Sequence, residues 1–262
     1  MTGSTPVLGE EADATTTGVF GDRQADTLLE SDTLHWWFEC KASIVAAVIE
    51  RHLTLTSGSG YLVDVGAGAG GVTSLQRWPG QRIVAVEGNS ALAVRAREEH
   101  GLASVIGGCY EIPLESGRAD IVTLLDVIEH LDDPVASLRE ARRLLRSGGL
   151  VVVTVPGHAF LWSGADELLG HVKRYTRSMV RRELGDSGFD VLWCSHVFSW
   201  LVPPMWLLRR TARDSDAQLG LGATSPVLST VARALTRTEM AFSRRMSLPF
   251  GTSVAAVAVP TC

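Results

Sequence analysis

The feature that most constrains this chain is the run YLVDVGAGAGG at residues 61–71. Its first five residues are mostly apolar or β-favouring, which predicts a strand buried on both faces, as in a parallel sheet. The glycines that follow allow a sharp turn and a close approach of the backbone to a ligand, because glycine has no Cβ. Residues 72–78 can then begin a helix whose N-terminal amides face that ligand. A strand, a glycine turn and a helix make half of a nucleotide-binding βαβ unit.

The glycines alone leave two ligands open. Gly66, Gly68 and Gly71 satisfy the G-x-G-x-x-G dinucleotide pattern, and the same run satisfies the D-x-G-x-G-x-G pattern of S-adenosylmethionine (SAM) enzymes. Asp64 favours SAM, because a carboxylate at this position suits the cationic amino group of methionine and not a pyrophosphate. Glu87 ends the next predicted strand, where a βαβ site places a carboxylate on the ribose hydroxyls.

Composition narrows the class of protein further. With 262 residues, 45% of them hydrophobic and 20% charged, the chain can bury one large α/β core, and we expect one domain over residues 31–262. A net charge of -5 predicts no nucleic-acid partner. Residues 1–19 have neither a basic start nor an apolar centre, so we expect no signal peptide, and residues 1–30 are predicted to be a flexible tail.

The four cysteines (Cys40, Cys109, Cys194 and Cys262) lie far apart and form no C-x-x-C pair. This spacing argues against a zinc site and against a secreted disulfide framework. We therefore expect no metal, and a reducing compartment, the cytoplasm.

Seven strands are predicted, alternating with helices up to the fifth strand. This order is typical of a doubly wound, mostly parallel α/β sheet. Residues 197–250 form an apolar helical insertion before the last strand, which could roof an acceptor pocket, form a dimer contact or touch a membrane surface without stable insertion. The predicted strands are 61–65, 81–87, 103–106, 120–126, 150–155, 189–195 and 253–259, and the main helices are 33–53, 91–100, 133–145 and 176–184.

An aromatic turn opens the first predicted helix. His35, Trp36, Trp37 and Phe38 follow one another, and consecutive residues point around a helix, so they cannot all enter one core. Either some of them cover a ligand, or the helix is buried between layers.

Four segments together resemble the class I SAM-dependent methyltransferases, small-molecule branch, over about residues 33–260. They read HWWFECK, DVGAGAGG, LDVIEHLDDP and LLRSGGLVVVTVP. The resemblance implies a Rossmann-like methyltransferase fold, SAM as cofactor and S-adenosylhomocysteine as product. The chain departs from many relatives at residues 107–110, which read GGCY where those relatives have a Gly-Asp pair, so backbone groups or Tyr110 would meet the adenine. The implied cofactor-binding residues are Trp37, Asp64, Gly66, Gly68, Glu87, Gly108, Cys109, Asp126 and Val127.

The acceptor side depends on a D-x-x-x-x-H-x-x-R-Y pattern that also resembles this branch. The sulfonium already activates the methyl group, so the protein has to align a nucleophile and exclude water. A hydroxyl or ammonium acceptor needs a base, and His171 is favoured over His130 because Asp166 and Arg174 lie near it in sequence. The alternative, that residues 166–175 are only a hydrogen-bonded turn, stays open. The catalytic candidates are His171, His130 and Tyr175, and the substrate-binding candidates are His158, Trp162, Asp166, Arg174, Trp200 and Trp206.

The sequence thus predicts methyl transfer from SAM to a small, partly apolar metabolite of natural-product or lipid type, through an oxygen or nitrogen nucleophile. A nicotinamide-dependent Rossmann oxidoreductase and a non-catalytic SAM-binding protein are the alternatives. The acceptor, the atom methylated, and the choice between monomer and homodimer stay open.

Overall fold

The computed structural model describes residues 35–52, 61–76, 82–211, 226–243 and 246–261. The predicted tail at 1–30 and residues 212–225 of the predicted insertion lie outside these ranges.

Seven strands form one sheet in the order β3-β2-β1-β4-β5-β7-β6. The first five in that order pair in parallel, and β7 runs antiparallel to both β5 and β6. The predicted doubly wound, mostly parallel sheet is therefore confirmed, and β7 inserts between its two neighbours instead of adding at the edge. The strands are β1 (Tyr61–Val65), β2 (Arg82–Glu87), β3 (Ala103–Ile106), β4 (Ala119–Leu125), β5 (Leu145–Pro156), β6 (Phe189–Val197) and β7 (Ser253–Pro260).

Helices cover both faces of the sheet, because the strands present apolar side chains to each face. Val63 and Val65 pack with α3 and α5 on one face, whereas Leu62 packs with α1 and α7 on the other. The helices are α1 (His35–His52), α2 (Ser90–His100), α3 (Pro134–Leu144), α4 (Gly164–Leu168), α5 (Arg177–Asp186), α6 (Val202–Thr211) and α7 (Pro226–Ser243).

The late insertion divides between two places. Helix α7 packs along α1, where Arg233 forms an ion pair with Glu39 and Met240 joins the apolar cluster of α1. Helix α6 contacts the turn at Ala159–Leu161 that follows β5. So α7 covers a sheet face, and α6 is the part of the insertion that lies beside the loop after β5. Among the residues described, no helix is both long and apolar enough to cross a bilayer.

Two predicted helix boundaries are wrong. The segment after the glycines forms only a 3-10 turn at Thr73–Leu75, and Gln76 is already extended. The reason is that the Thr73 hydroxyl donates to the buried Asp64 carboxylate and so holds this turn against the sheet. Helix α3, predicted at 133–145, spans Pro134–Leu144 with Asp133 as its N-cap, and it ends at Leu144 because β5 begins at the next residue.

Candidate active site

The glycine loop after β1 is shaped by two residues with positive φ. Gly66 has φ of 72° and Gly68 has φ of 58°, both in the left-handed region that favours glycine. A Cβ at Gly66 would lie 2.6 Å from Cγ2 of the buried Val127, whereas a Cβ at Gly68 would meet no atom within 4 Å. Gly66 is therefore required for packing, and Gly68 borders open space where a ligand can approach the backbone.

Glu87 lies beside that open space at the carboxyl end of β2. One carboxylate oxygen accepts a hydrogen bond of 2.8 Å from the Gly68 amide, and the other accepts one of 2.8 Å from Asn89. Burial raises the pKa of Glu87, although these amides act in the opposite direction. The structure thus joins the glycine loop to the predicted ribose carboxylate.

Asp64 is held within the fold by two threonine hydroxyls. Its side chain is buried on the α1 face of the sheet, where one oxygen accepts from Thr123 Oγ1 at 2.6 Å and the other accepts from Thr73. Burial raises its pKa to about 6. Asp64 therefore holds the loop in place, and its direct contact with the methionine end stays a prediction.

Asp126 follows β4 at the same edge and has φ of 57°, a strained conformation for a residue other than glycine. Its carboxylate accepts from Thr154 Oγ1 at 2.9 Å and pairs with the ammonium of Lys41. Burial alone would raise the pKa of Asp126, but Lys41 outweighs burial and holds the pKa below its ordinary value.

Lys41 was missed by the sequence analysis, although it closes the HWWFECK segment. It is buried, and its ammonium lies 5.2 Å from the ring centroid of Trp37, one helical turn earlier. The i,i+4 spacing of Trp37 and Lys41 was the available signal, because such residues share a helix face. The aromatic residues of this turn have different surroundings. Trp36 is buried in the core, and Phe38 lies against Gly71.

The segment predicted to contact adenine, residues 107–110, lies next to the glycine loop. Gly108 forms an isolated bridge with Glu111, and Cys109 is buried, which raises the pKa of its thiol. Tyr110 is 48% exposed, so its ring is accessible at this edge. No finding tests whether these residues contact adenine.

The two histidines that the sequence analysis named as candidate bases, His171 and His130, lie together. Their ring centroids are 4.8 Å apart. His171 Nδ1 lies 2.8 Å from Asp166 Oδ1, and Arg174 Nε donates to the same oxygen at 2.7 Å. Burial alone would raise the pKa of Asp166, but the His171 hydrogen bond and the Arg174 guanidinium lower it to about 2. Asp166 is thus a permanent carboxylate that orients two neighbours.

His130 Nδ1 lies 3.2 Å from the carbonyl oxygen of Gly170. Burial, and secondarily His171, lowers the pKa of His130 to about 4, so its ring is neutral near pH 7. A carbonyl can only accept, so Nδ1 carries the proton and Nε2 is the acceptor of this ring.

Glu129, directly before His130, was also missed. Its side chain is fully buried, and neither carboxylate oxygen has a hydrogen-bond donor in the described part of the chain. Burial and the nearby Asp126 carboxylate raise its pKa well above the ordinary value. The signal in the sequence was an acid between Val127 and His130, two residues already assigned to the site.

Three other candidates lie in different surroundings. Tyr175 is fully buried and donates to the Ile128 carbonyl at 3.3 Å, so it supports the turn before His130. Burial, then Glu183, raises the pKa of Tyr175 far above its ordinary value. His158 stacks on His196 with ring centroids 4.2 Å apart. Trp162 is 36% exposed and donates weakly to Glu167 at 3.3 Å. Their predicted roles remain untested.

An aromatic cluster connects α1 to the end of β6. Trp37 packs against Phe198 with centroids 4.4 Å apart, and Trp36 lies 6.3 Å from Trp200. The indole N–H groups of Trp36 and Trp200 are buried without an acceptor among the described residues. Trp206, on α6, is 41% exposed. Trp200 therefore joins the cluster, and Trp206 lies on a more open surface.

Known proteins resemble this chain in sequence and in fold. A family model described as "Methyltransferase domain" matches residues 63–153. A probable S-adenosylmethionine-dependent methyltransferase of Mycobacterium tuberculosis is 25% identical over 196 residues, which cover 73% of this chain and 69% of that protein. A ubiquinone biosynthesis O-methyltransferase of Parvibaculum lavamentivorans is 28% identical over 125 residues, 44% of this chain and 49% of that one; the match thus spans about half of that relative.

A solved structure of a geranyl diphosphate methyltransferase in complex with SAM has the same fold. Its TM-score is 0.59 at 19% identity, with 92% of each chain covered. The solved structure shows a Rossmann-like fold. The domain match and the mycobacterial relative show a SAM-dependent methyltransferase, with SAM as its cofactor. They do not support the nicotinamide-dependent or the non-catalytic alternative.

Proposed function

We propose that this enzyme transfers the SAM methyl group to an oxygen or nitrogen atom of a small, partly apolar metabolite, and that His171 accepts the acceptor's proton. The observation that carries the proposal is the hydrogen bond between His171 Nδ1 and the buried Asp166 carboxylate. Because a carboxylate can only accept, Nδ1 holds the proton of a neutral ring, and Nε2 is the basic atom.

The reaction then balances without another reagent. The acceptor atom attacks the methyl carbon, a carbon–acceptor bond forms and the carbon–sulfur bond breaks. S-adenosylhomocysteine leaves as a neutral thioether, and the acceptor's proton moves to Nε2 of His171. Arg174 neutralises part of the Asp166 charge, which keeps Asp166 ionised.

The cofactor would lie along the glycine loop. Gly68 borders open space, and Glu87 is joined to its amide, so Glu87 is the residue proposed to hold the ribose hydroxyls. Asp126 and Val127 follow β4 at the same edge, where Asp126 pairs with Lys41 and the Lys41 ammonium lies over the Trp37 ring. The carboxyl edge of an open α/β sheet is where ligands bind.

The apolar character of the acceptor is inferred from the aromatic cluster of Trp36, Trp37, Phe198 and Trp200. Two of its indole N–H groups have no acceptor in the described part of the chain, which suits a metabolite carrying an oxygen. The partial likeness to a ubiquinone biosynthesis O-methyltransferase agrees with an oxygen nucleophile on an apolar compound.

Transfer of radiolabelled methyl from SAM to short-chain prenylated catechols, phenols and amines tests the proposal. We expect His171→Ala to lower turnover with an accepted probe by about 10²–10⁴-fold, while SAM affinity changes by less than about threefold. His100→Ala, on the exposed last turn of α2, is the matched control and should keep full activity. Full activity of His171→Ala would remove it as the base, and transfer to carbon acceptors alone would contradict the oxygen or nitrogen assignment.

A further inference from the structure

We propose that Glu129, His130 and His171 form a binding site for a divalent transition-metal cation. Each of the three offers one ligand atom, and these atoms all lie within 4.8 Å of one another. This inference departs from the expectation drawn from the cysteines, because all three ligands come from residues outside any Cys pattern.

The Glu129 carboxylate is the first argument. It is fully buried, and no donor among the described residues reaches either oxygen. Leaving a buried carboxylate without a partner is costly, so native proteins pair such groups or place a metal beside them. The neighbouring carboxylates are both paired, Asp126 with Lys41 and Asp166 with Arg174, so Glu129 is the exception within this cluster.

The two imidazoles are the second argument. Each directs Nδ1 to an oxygen that can only accept: His130 to the Gly170 carbonyl and His171 to the Asp166 carboxylate. Each neutral ring therefore carries its lone pair on Nε2. A metal-binding histidine commonly donates its other N–H to a carbonyl or a carboxylate in this way, which orients the ring and strengthens the ligand.

The distances fit a cation after a small adjustment. With metal–ligand bonds of about 2.0–2.2 Å, two ligands of one cation lie at most about 4.4 Å apart. The three side chains have to converge by a few tenths of an ångström. His171 is held on a loop, and its side chain is 10% exposed, so it is the ligand best able to shift.

The donor set selects the metal. Two imidazole nitrogens and one carboxylate suit Zn²⁺, Fe²⁺, Mn²⁺ or Co²⁺, whereas Mg²⁺ and Ca²⁺ prefer oxygen ligands. Three protein ligands leave at least one coordination position for a further ligand. An acceptor with a hydroxyl could fill it, and coordination would lower the pKa of that hydroxyl.

This catalytic role of the cation rests on the proposed methyl transfer and would make His171 a ligand instead of the base. Metal binding itself does not rest on it, because binding is measured without SAM or acceptor. Failure of methyl transfer therefore leaves the metal site to be judged by its own measurement.

The test is titration of Co²⁺ into the chelator-treated full chain, followed by visible absorption. We expect one equivalent to produce a ligand-field band. Glu129→Gln and His171→Ala should each weaken Co²⁺ binding by more than about 100-fold. Loss of a residue that only hydrogen-bonds to a metal ligand would weaken binding by about 10–100-fold. His100→Ala, which removes an exposed histidine elsewhere, should bind Co²⁺ as the natural protein does.

Thermal unfolding separates loss of the site from loss of the fold. Zn²⁺ should raise the Tm of the natural protein, because a ligand of the folded state stabilises it. The metal-free Glu129→Gln protein should unfold at or near the natural Tm, with no rise on addition of Zn²⁺. Absence of a Co²⁺ band in the natural protein, or a band of undiminished affinity in both Glu129→Gln and His171→Ala, would overturn the proposal.

Discussion

The glycine loop after β1 and the loop after β5 reach the same edge of the sheet but are built in different ways. The first relies on backbone conformation and on contacts between residues near in sequence, such as the Gly68 amide with Glu87. The second, together with the segments that follow β4 and β6 at the same edge, relies on contacts between residues far apart in the chain, such as the Lys41 ammonium with the Asp126 carboxylate and the Glu239 carboxylate with the Phe198 amide. We call these regions the cofactor side and the acceptor side.

This difference predicts how each region should respond to substitution. On the cofactor side a single added Cβ can displace the backbone that meets the ligand. On the acceptor side the sensitive quantity is the pairing of buried charges, because an unpaired buried charge is costly. Substitutions of the two kinds should therefore affect cofactor affinity and protein stability in different proportions.

The largest effect is expected for Gly66→Ala. The new Cβ would meet Val127 Cγ2 at 2.6 Å, and φ of 72° is unfavourable for alanine. We expect the affinity for S-adenosylhomocysteine, measured by calorimetry, to fall by at least about 100-fold, since overpacking and the left-handed backbone each cost about 1–3 kcal/mol. Gly117→Ala is the control: its φ is 70°, with no atom within 4 Å, so only stability should fall. Equal losses of affinity in both variants would contradict the hypothesis that the backbone conformation of the glycine loop determines cofactor binding.

Separating Lys41 from Asp126 should have the next largest effect. Lys41→Met leaves the Asp126 carboxylate without its cation, and we expect the free energy of unfolding to fall by about 3 kcal/mol. Asp126→Asn in the Lys41→Met background should recover part of that loss. A denaturant-unfolding double-mutant cycle measures the coupling, and a value near zero would show that the pair adds nothing to the acceptor side.

Glu239 anchors α7 to the aromatic cluster. Its carboxylate accepts from the amides of Phe198 and Ser199 and from the Ser199 hydroxyl. In Glu239→Gln the amide nitrogen would face donors, so we expect a loss of about 2 kcal/mol in unfolding free energy with cofactor affinity unchanged. Glu99→Gln, which breaks an exposed ion pair on α2, should cost less than about 0.5 kcal/mol. A loss of cofactor affinity in Glu239→Gln would show that the two sides are coupled.

The smallest effect is a pH dependence from His196. Burial, then His158 and Arg177, lowers the pKa of His196 to about 4 from its usual 6.5. The unfolded chain therefore binds more protons between these pH values, and stability falls as the pH drops from 6.5 to 4. His196→Gln should flatten this decline by about 1–2 kcal/mol in unfolding free energies measured across that range. His130, whose pKa is also about 4, preserves part of the decline. An identical slope in His196→Gln would show that His196 is not buried as a neutral ring.

Much of the cofactor side was predictable, because its signals are local. The strand boundaries of β1 and β3, the Asp133 cap of α3 and the nearness of Glu87 to the glycine loop follow from short patterns. Within the helix expected at 72–78, residues 73–75 form only a 3-10 turn, because the Thr73 hydroxyl bonds to Asp64, a contact made only when the loop folds back on its strand.

On the acceptor side, the sequence predicted which residues belong to the site but not how they are arranged. The pattern from Asp166 to Tyr175 marked His171 and Asp166 as neighbours, and the structure joins them. It gave no sign that Tyr175 would be buried beneath Ile128, or that α7 would pack along α1. Such contacts join residues far apart in the chain, and sequence spacing carries no information about them.

By itself, the sequence determined the doubly wound sheet, the glycine loop and the carboxylates around it, because strand burial and backbone freedom are properties of short segments. Tertiary structure alone brings Lys41 to Asp126, and it places Glu129 beside two histidines with no hydrogen-bond donor among the described residues. Charge pairing and burial depend on which distant segments the folded sheet brings to one edge, and short patterns do not record this.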